Sequence, residues 1–306
     1  MYFCDCINSL IHYQSKTIIQ QLKSTVMIQL KDVTFGYKKN APVFKDLNLE
    51  LTGGHIYGLL GKNGVGKTTL MKIVAGLRFA NSGTAEVFGE PSYKRSPEML
   101  QDLYFVGEEM YAPALTIRQY VDTFAPFYPN FSREQMDAYL EQFELTGCTQ
   151  RISAMSHGQK KKVFISFALA TNVKVLLMDE PTNGLDIPSK SMFRKVMAMA
   201  ADQERLFVIS THQVRDLHSL IDSIILLDNG QIILSEPNEV ITDKLLFKVV
   251  DSTEGMENLL YSEDTLRGIY TVSENVNHEE CKLDIELLFN AAISNKKRIK
   301  ELFSNY

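Results

Sequence analysis

One run of eight residues constrains this chain more than any other: Gly61-Lys62-Asn63-Gly64-Val65-Gly66-Lys67-Thr68. It matches G-x-x-x-x-G-K-[ST] in full. The apolar stretch 55–60 precedes it, and Leu70, Ile73, Val74 and Leu77 follow at i, i+3, i+4, i+7. That order reads as strand, loop, helix. The glycines let successive backbone N–H groups converge, and the helix start adds positive potential, so main chain can hold a polyphosphate. Lys67 would then reach the β- and γ-phosphates, the Thr68 hydroxyl a Mg²⁺ ion, and Thr69 the α-phosphate. The plain alternative is a glycine-rich turn that only caps a helix.

Residues 175–178 are continuously apolar, as in a strand buried on both faces of a parallel sheet, and they end in Asp179-Glu180. An acidic strand end alone could be a turn or a cap. Downstream of a phosphate loop it reads as chemistry, with Asp179 as the metal ligand and Glu180 as the base for the attacking water.

Composition narrows the class. With 45% hydrophobic and 23% charged residues over 306 positions, the chain is globular, with room for one large domain or two ordinary ones. A net charge of −5 argues against a protein whose main business is coating nucleic acid. Among Cys4, Cys6, Cys148 and Cys281 only the first two are neighbours, and C-x-C lacks the second pair a zinc site needs. Free thiols in a reducing compartment are expected. The longest apolar runs fall far short of the ~20 residues that span a bilayer, and residues 1–26 carry no secretory signal.

Met27 reads as the natural first residue, with 1–26 an upstream extension that folds poorly; a native helical arm is the alternative. Alternation at Ile28 and Leu30, and at Leu47, Leu49 and Leu51, marks strands, and Gly53-Gly54 fits a tight turn into the next one. Residues 94–150 read as mainly helical, with capping-box patterns at Thr116–Gln119 and Ser132–Gln135. The second opens a helix with Met136, Tyr139, Leu140 and Phe143 on one face. A helix at 192–201 and strands at 206–210, 223–227 and 231–234 follow, the last two around Asp228-Asn229-Gly230. Strands alternating with helices indicate an α/β core with a helical insertion. Beyond Ser235 the signal weakens to helix fragments at 283–289 and 299–303. Lys160-Lys161-Lys162 reads as a solvated helix face or, since three lysines oppose the dipole at a helix start, as charges near a phosphate across an interface; Lys296-Lys297-Arg298 reads as a solvated face.

Met155-Ser156-His157-Gly158-Gln159 lies between the two nucleotide motifs, Pro181-Thr182-Asn183-Gly184-Leu185-Asp186 follows the acidic pair, and Ser210-Thr211-His212 ends the next strand. Together with the phosphate loop, these resemble the ATP-binding subunit of an ATP-binding-cassette (ABC) transporter of the export branch, over about residues 27–234. The resemblance implies a P-loop NTPase core with a parallel sheet, an antiparallel β subdomain, a helical subdomain at about 94–165, and a C-terminal extension at 235–306 that regulates or pairs. ATP and Mg²⁺ are the implied cofactors. Gly61, Asn63, Gly64, Gly66, Lys67, Thr68 and Thr69 would hold the phosphates, and Tyr37 would stack on adenine unless it is a core tyrosine. Thr68, Asp179 and Glu108 would face the metal, and Glu180, His212 and Lys67 would be catalytic. Ser156, Gly158, Gln159 and Asp186 would act across a head-to-tail dimer, on the nucleotide of a second copy.

Two positions depart from the pattern. His157 replaces a glycine beside a phosphate, and Glu108 stands where a glutamine is usual, which bears on affinity and metal preference. The implied partners are a second such subunit and an integral-membrane permease at the cytoplasmic face of the membrane, touching Glu108–Pro113. Nucleic acid is not expected. A soluble ABC ATPase acting on ribosomes or DNA, and a nucleotide-dependent regulatory module, stay open as alternatives.

Overall fold

The computed structural model describes residues 26–38, 41–147, 149–212 and 218–303. Val26–Phe35 (β1) and Phe44–Thr52 (β2) pair antiparallel, with Ile28 opposite Leu51 and Leu30 opposite Leu49. His55–Leu60 (β3) follows at once, yet Gly53-Gly54 do not close a hairpin. Both edges of β3 are taken by later strands, so the turn hands the chain from one sheet to another. Lys67–Val74 (α1) leads to Ser82–Val87 (β4) and Glu90–Pro91 (β5), completing an antiparallel sheet of order β2-β1-β4-β5. Leu77, expected on the helix stripe, lies past the end of α1 and is exposed.

Pro97–Gln101 (α2) precedes Leu103–Val106 (β6), which interrupts the stretch read as mainly helical. Four residues are too few to show a period; their ladder to Val175–Met178 makes them a strand. Ile117–Phe124 (α3) starts with the expected reciprocal capping box of Thr116 and Gln119. Arg133–Gln142 (α4) has only half of one: Ser132 accepts from the Gln135 N–H, but the Gln135 side chain accepts instead from Asn172 at 2.6 Å. His157–Ala170 (α5), Val175–Asp179 (β7), Ile187–Ala200 (α6), Leu206–Thr211 (β8), Ser223–Asp228 (β9) and Gln231–Pro237 (β10) complete a six-stranded sheet. Its order is β10-β9-β3-β8-β7-β6, parallel except for β10.

Every residue of β7, β8 and β9 is buried, because both faces of this sheet are covered. Alternation sends Val175, Leu177 and Val208 to the side of α1 and the antiparallel sheet. It sends Leu176, Met178 and Ile209 to the side of Phe167 in α5 and Phe193 in α6. Asn229 and Gly230 have φ of 46° and 72°, the two left-handed positions of the tight turn that the sequence suggests there.

The C-terminal part is more structured than its sequence implies. Asn238–Lys244 (α7) and a three-stranded antiparallel sheet of Leu245–Val250 (β11), Leu259–Thr265 (β12) and Gly268–Glu274 (β13) precede Ile285–Ser294 (α8) and Lys296–Phe303 (α9). Leu245, Val272, Leu288 and Ile299 join the core cluster that holds Leu176 and Phe193. The 296–298 run is not simply solvated: Lys296 pairs with the buried Asp228, and Arg298 grips Glu274 with bonds of 2.6 and 2.9 Å. A carboxylate taken out of water needs such a partner. The expected N-terminal extension lies outside the described residues except for Val26, which opens β1, and so do Cys4, Cys6 and Cys148. Among the described residues no helix is long and apolar enough to cross a membrane.

Candidate active site

The phosphate loop leaves the end of β3 and enters α1. Gly64 and Gly66 have φ of 79° and 112°, a region that residues with a side chain rarely adopt. A Cβ at Gly66 would meet the Phe44 ring and the Val43 side chain at 2.8 Å, whereas one at Gly64 would meet nothing within 4 Å. The loop is therefore packed at its back and open at its front. Lys67 is buried, and its Nζ donates to the carbonyls of Gly61 at 2.8 Å and Lys62 at 3.3 Å. Burial lowers the Lys67 pKa, opposed by the carboxylates of Glu180, Asp179 and Glu108 in that order.

Parallel pairing brings the ends of β7 and β8 beside this loop. Asp179 accepts from Thr68 Oγ1 at 2.6 Å on one oxygen and from Ser210 Oγ at 2.5 Å on the other. Glu180 has φ 47°, a left-handed conformation costing about 1 kcal/mol for a residue with a side chain. One carboxylate oxygen is 2.9 Å from His212 Nδ1 and the other 3.9 Å from Lys67 Nζ. Glu108 accepts from Asn183 Nδ2 at 2.9 Å.

Tyr37 is no core residue. It is 61% exposed, its hydroxyl hydrogen-bonds to Thr69 Oγ1 at 2.9 Å, and its ring meets Phe35 edge-on at 5.0 Å. It shares with Asn63, Gly64, Gly66, Lys67, Thr68 and Thr69 the wall of a cavity of about 580 Å³. Glu108, Asp179, Glu180, Asn183 and His212 form the rest of that wall. Gly61 takes part through its carbonyl bond to Lys67.

Ser156, Gly158, Gln159 and Asp186 do not reach this cavity. Ser156 caps α5 in a reciprocal box with Gln159, and Asp186 caps α6, where hydrogen bonds from Ser189 hold its carboxyl below the usual aspartate range. A Cβ on Gly184 would lie 3.1 Å from the His157 ring, so the first turn of α5 packs on the loop that follows Glu180.

The donor chemistry fits a hard cation. Thr68 and Asp179 place a hydroxyl and a carboxylate side by side, 2.6 Å apart. That suits Mg²⁺, which takes one or two protein oxygens and completes its shell with phosphates and water. Sequence reasoning missed Asn183, Ser210 and Lys161. The first two lie inside motifs whose spacing points to their neighbours. Lys161 sits in a run of three lysines with the pattern of a solvated face, yet it is 2% exposed.

A protein-family model described as "ABC transporter" matches residues 44–183. The ABC transporter ATP-binding protein NatA of Bacillus subtilis (strain 168) is 30% identical over 217 residues, 68% of this chain and 88% of that protein. The bacitracin transport ATP-binding protein BcrA of Bacillus licheniformis is 32% identical over 217 residues, 70% of each. A solved structure of the ATP binding subunit of an ABC transporter superposes with a TM-score of 0.63 at 23% identity, covering 70% of this chain and 91% of that one, which supports the fold. With identity sustained across nearly nine tenths of NatA, the chain belongs to the ABC transporter ATP-binding proteins and is an ATPase.

Proposed function

We propose that two copies of this chain bind MgATP between them, head to tail, and that hydrolysis drives export through a separate integral-membrane subunit at the cytoplasmic face. The observation that carries this reading is the one-sided cavity: phosphate loop, acidic pair and His212 surround it, while Ser156, Gly158 and Gln159 lie outside it. Those residues sit at the start of a 14-residue helix, whose positive end favours an anion. A second copy supplies what the first lacks.

Within each site, the loop amides and Lys67 hold the phosphates, and Tyr37 carries the adenine. Glu180 takes a proton from the attacking water, and His212 orients that carboxylate. Thr68 and Asp179, with Glu108 near, would hold a Mg²⁺ ion, which would supply charge neutralisation at the phosphates. ATP then acts as the adhesive between copies and its hydrolysis as the release.

Mixing two inactive variants tests the shared site. Lys67→Ala removes one copy's phosphate grip, and Ser156→Arg blocks the other's helix start. Each alone is expected to be inactive. Mixed in equal amounts they are expected to recover roughly a quarter of the wild-type rate, because half of random pairs are mixed and each mixed pair keeps one intact site. A site completed within one chain would recover nothing.

The base end has its own test. Tyr37→Ala is expected to weaken binding of a fluorescent ATP analogue about 10-fold, the scale of one lost stacking contact, while Tyr37→Phe stays within about threefold. Equal losses in both would assign the effect to the hydroxyl bond with Thr69.

A further inference from the structure

Lys161 lies one turn into α5, just past the capping residues Ser156 and Gln159. Its Nζ donates to the Glu180 carbonyl and to the Asn183 carbonyl, each at 2.7 Å. Both carbonyls belong to the segment that runs from the end of β7 to α6. Glu180 is the residue there with φ 47°. Its own N–H donates to the carbonyl and hydroxyl of Ser210 at 3.2 and 3.0 Å. The strained peptide is thus held on one side by β8 and on the other by Lys161. Asn183, the second residue that Lys161 binds, donates in turn to Glu108 at 2.9 Å.

A buried ammonium is an expensive choice for filling this space, since an apolar side chain needs no desolvation. Desolvation lowers the Lys161 pKa, and the carboxylates that oppose the shift are those of Glu108, Glu180 and Asp179, all in the cavity wall. What the ammonium adds over a methyl group is two directed donors at the back of the acidic cluster, and a positive charge behind it.

We propose that Lys161 is a positioning residue for hydrolysis: by pinning the Glu180 and Asn183 carbonyls it keeps Glu180 in its left-handed conformation, with the carboxylate aimed at the attacking water. This rests on the reading of Glu180 as the base. It also gives α5 a second task. The helix that presents Ser156 to the nucleotide of the other copy is fastened, through Lys161, to the base of its own site.

The test uses the full chain with Lys161→Met, Lys161→Gln and Lys161→Arg, reading phosphate release against ATP concentration, binding of a fluorescent ATP analogue, and thermal melting. Lys161→Met is expected to lower kcat about 10-fold or more, with KM and analogue affinity within about twofold and a single cooperative melt. Lys161→Arg, which restores donors and charge, is expected to recover more of kcat than Lys161→Gln, which restores donors alone. A kcat within twofold of wild type in Lys161→Met overturns the proposal. So does a parallel fall of kcat, affinity and melting temperature, or failure of all three variants to fold, each of which assigns Lys161 to structure alone. Glu180→Gln is measured alongside. If it still hydrolyses ATP, the reading of the base has failed; if it is inactive while Lys161→Met is normal, only the role of Lys161 has failed.

Discussion

Glu180→Gln is expected to lower steady-state phosphate release by about 100-fold or more while leaving ATP affinity within about threefold. The change preserves shape and removes basicity. An amide still fits between His212 at 2.9 Å and Lys67 at 3.9 Å, so the pocket keeps its form, but it cannot take a proton from water. Because ATP binds and is not consumed, the variant is expected to accumulate as a dimer on size-exclusion chromatography with ATP and as a monomer without it. In its own cells, tagged Glu180→Gln solubilised in mild detergent with ATP is expected to bring down a polytopic membrane protein in near-equal amounts. Ribosomal or DNA-associated proteins in its place would favour a soluble ATPase. More than a tenth of the wild-type rate in Glu180→Gln would remove Glu180 from the role of base.

Arg205→Leu is expected to destabilise the fold by about 3 kcal/mol, read as a melting temperature lower by about 5–10 °C. Arg205 is 4% exposed and lies away from the cavity. Its guanidinium donates to Val173 O at 3.0 Å, Ala200 O at 3.1 Å and Leu169 O at 3.4 Å, and lies 4.8 Å from the centre of the Phe207 ring. Leu169 and Ala200 belong to the last turns of α5 and α6, whose carbonyls have no partner within their helices. One planar cation thus ties two helix ends to the turn that precedes β7. Leucine fills the volume and takes the donor from the Val173 and Ala200 carbonyls, while Leu169 O keeps only the Asn172 N–H at 3.3 Å. Arg205→Lys is expected to recover less than half of the loss, since a point charge cannot span three directions at once. A change under 1 kcal/mol in Arg205→Leu would mean that water replaces the guanidinium.

What the sequence displays well is chemistry that is local along the chain. The phosphate loop, the acidic pair and the 228–230 turn each need particular residues at neighbouring positions, so their spacing alone announces them. Tertiary structure decides the rest. Lys161 and Lys296 look like any surface lysine, because what distinguishes them is a carbonyl or carboxylate that arrives from elsewhere in the fold. β12 reads Leu-Leu-Tyr-Ser-Glu-Asp-Thr, with no apolar alternation, because it is an edge strand of a small sheet and largely exposed. β6 is short, and only pairing with β7 defines it. Gln135 carries a capping-box pattern yet spends its side chain on Asn172.

The packing behind Gly66 bears on which nucleotides the pocket can tell apart. Val43 and the Phe44 ring press on the back of the phosphate loop, and the Tyr37 hydroxyl is bonded to Thr69 at the start of α1. The proposed adenine platform and the phosphate grip are therefore parts of one block, their separation set by protein packing before any ligand enters. A calliper fixed in this way spans the length that ATP and ADP share, so its spacing alone does not separate the two. The difference between fuel and spent product has to be read at the other jaw, where Lys67 meets Glu180, His212 and the second copy.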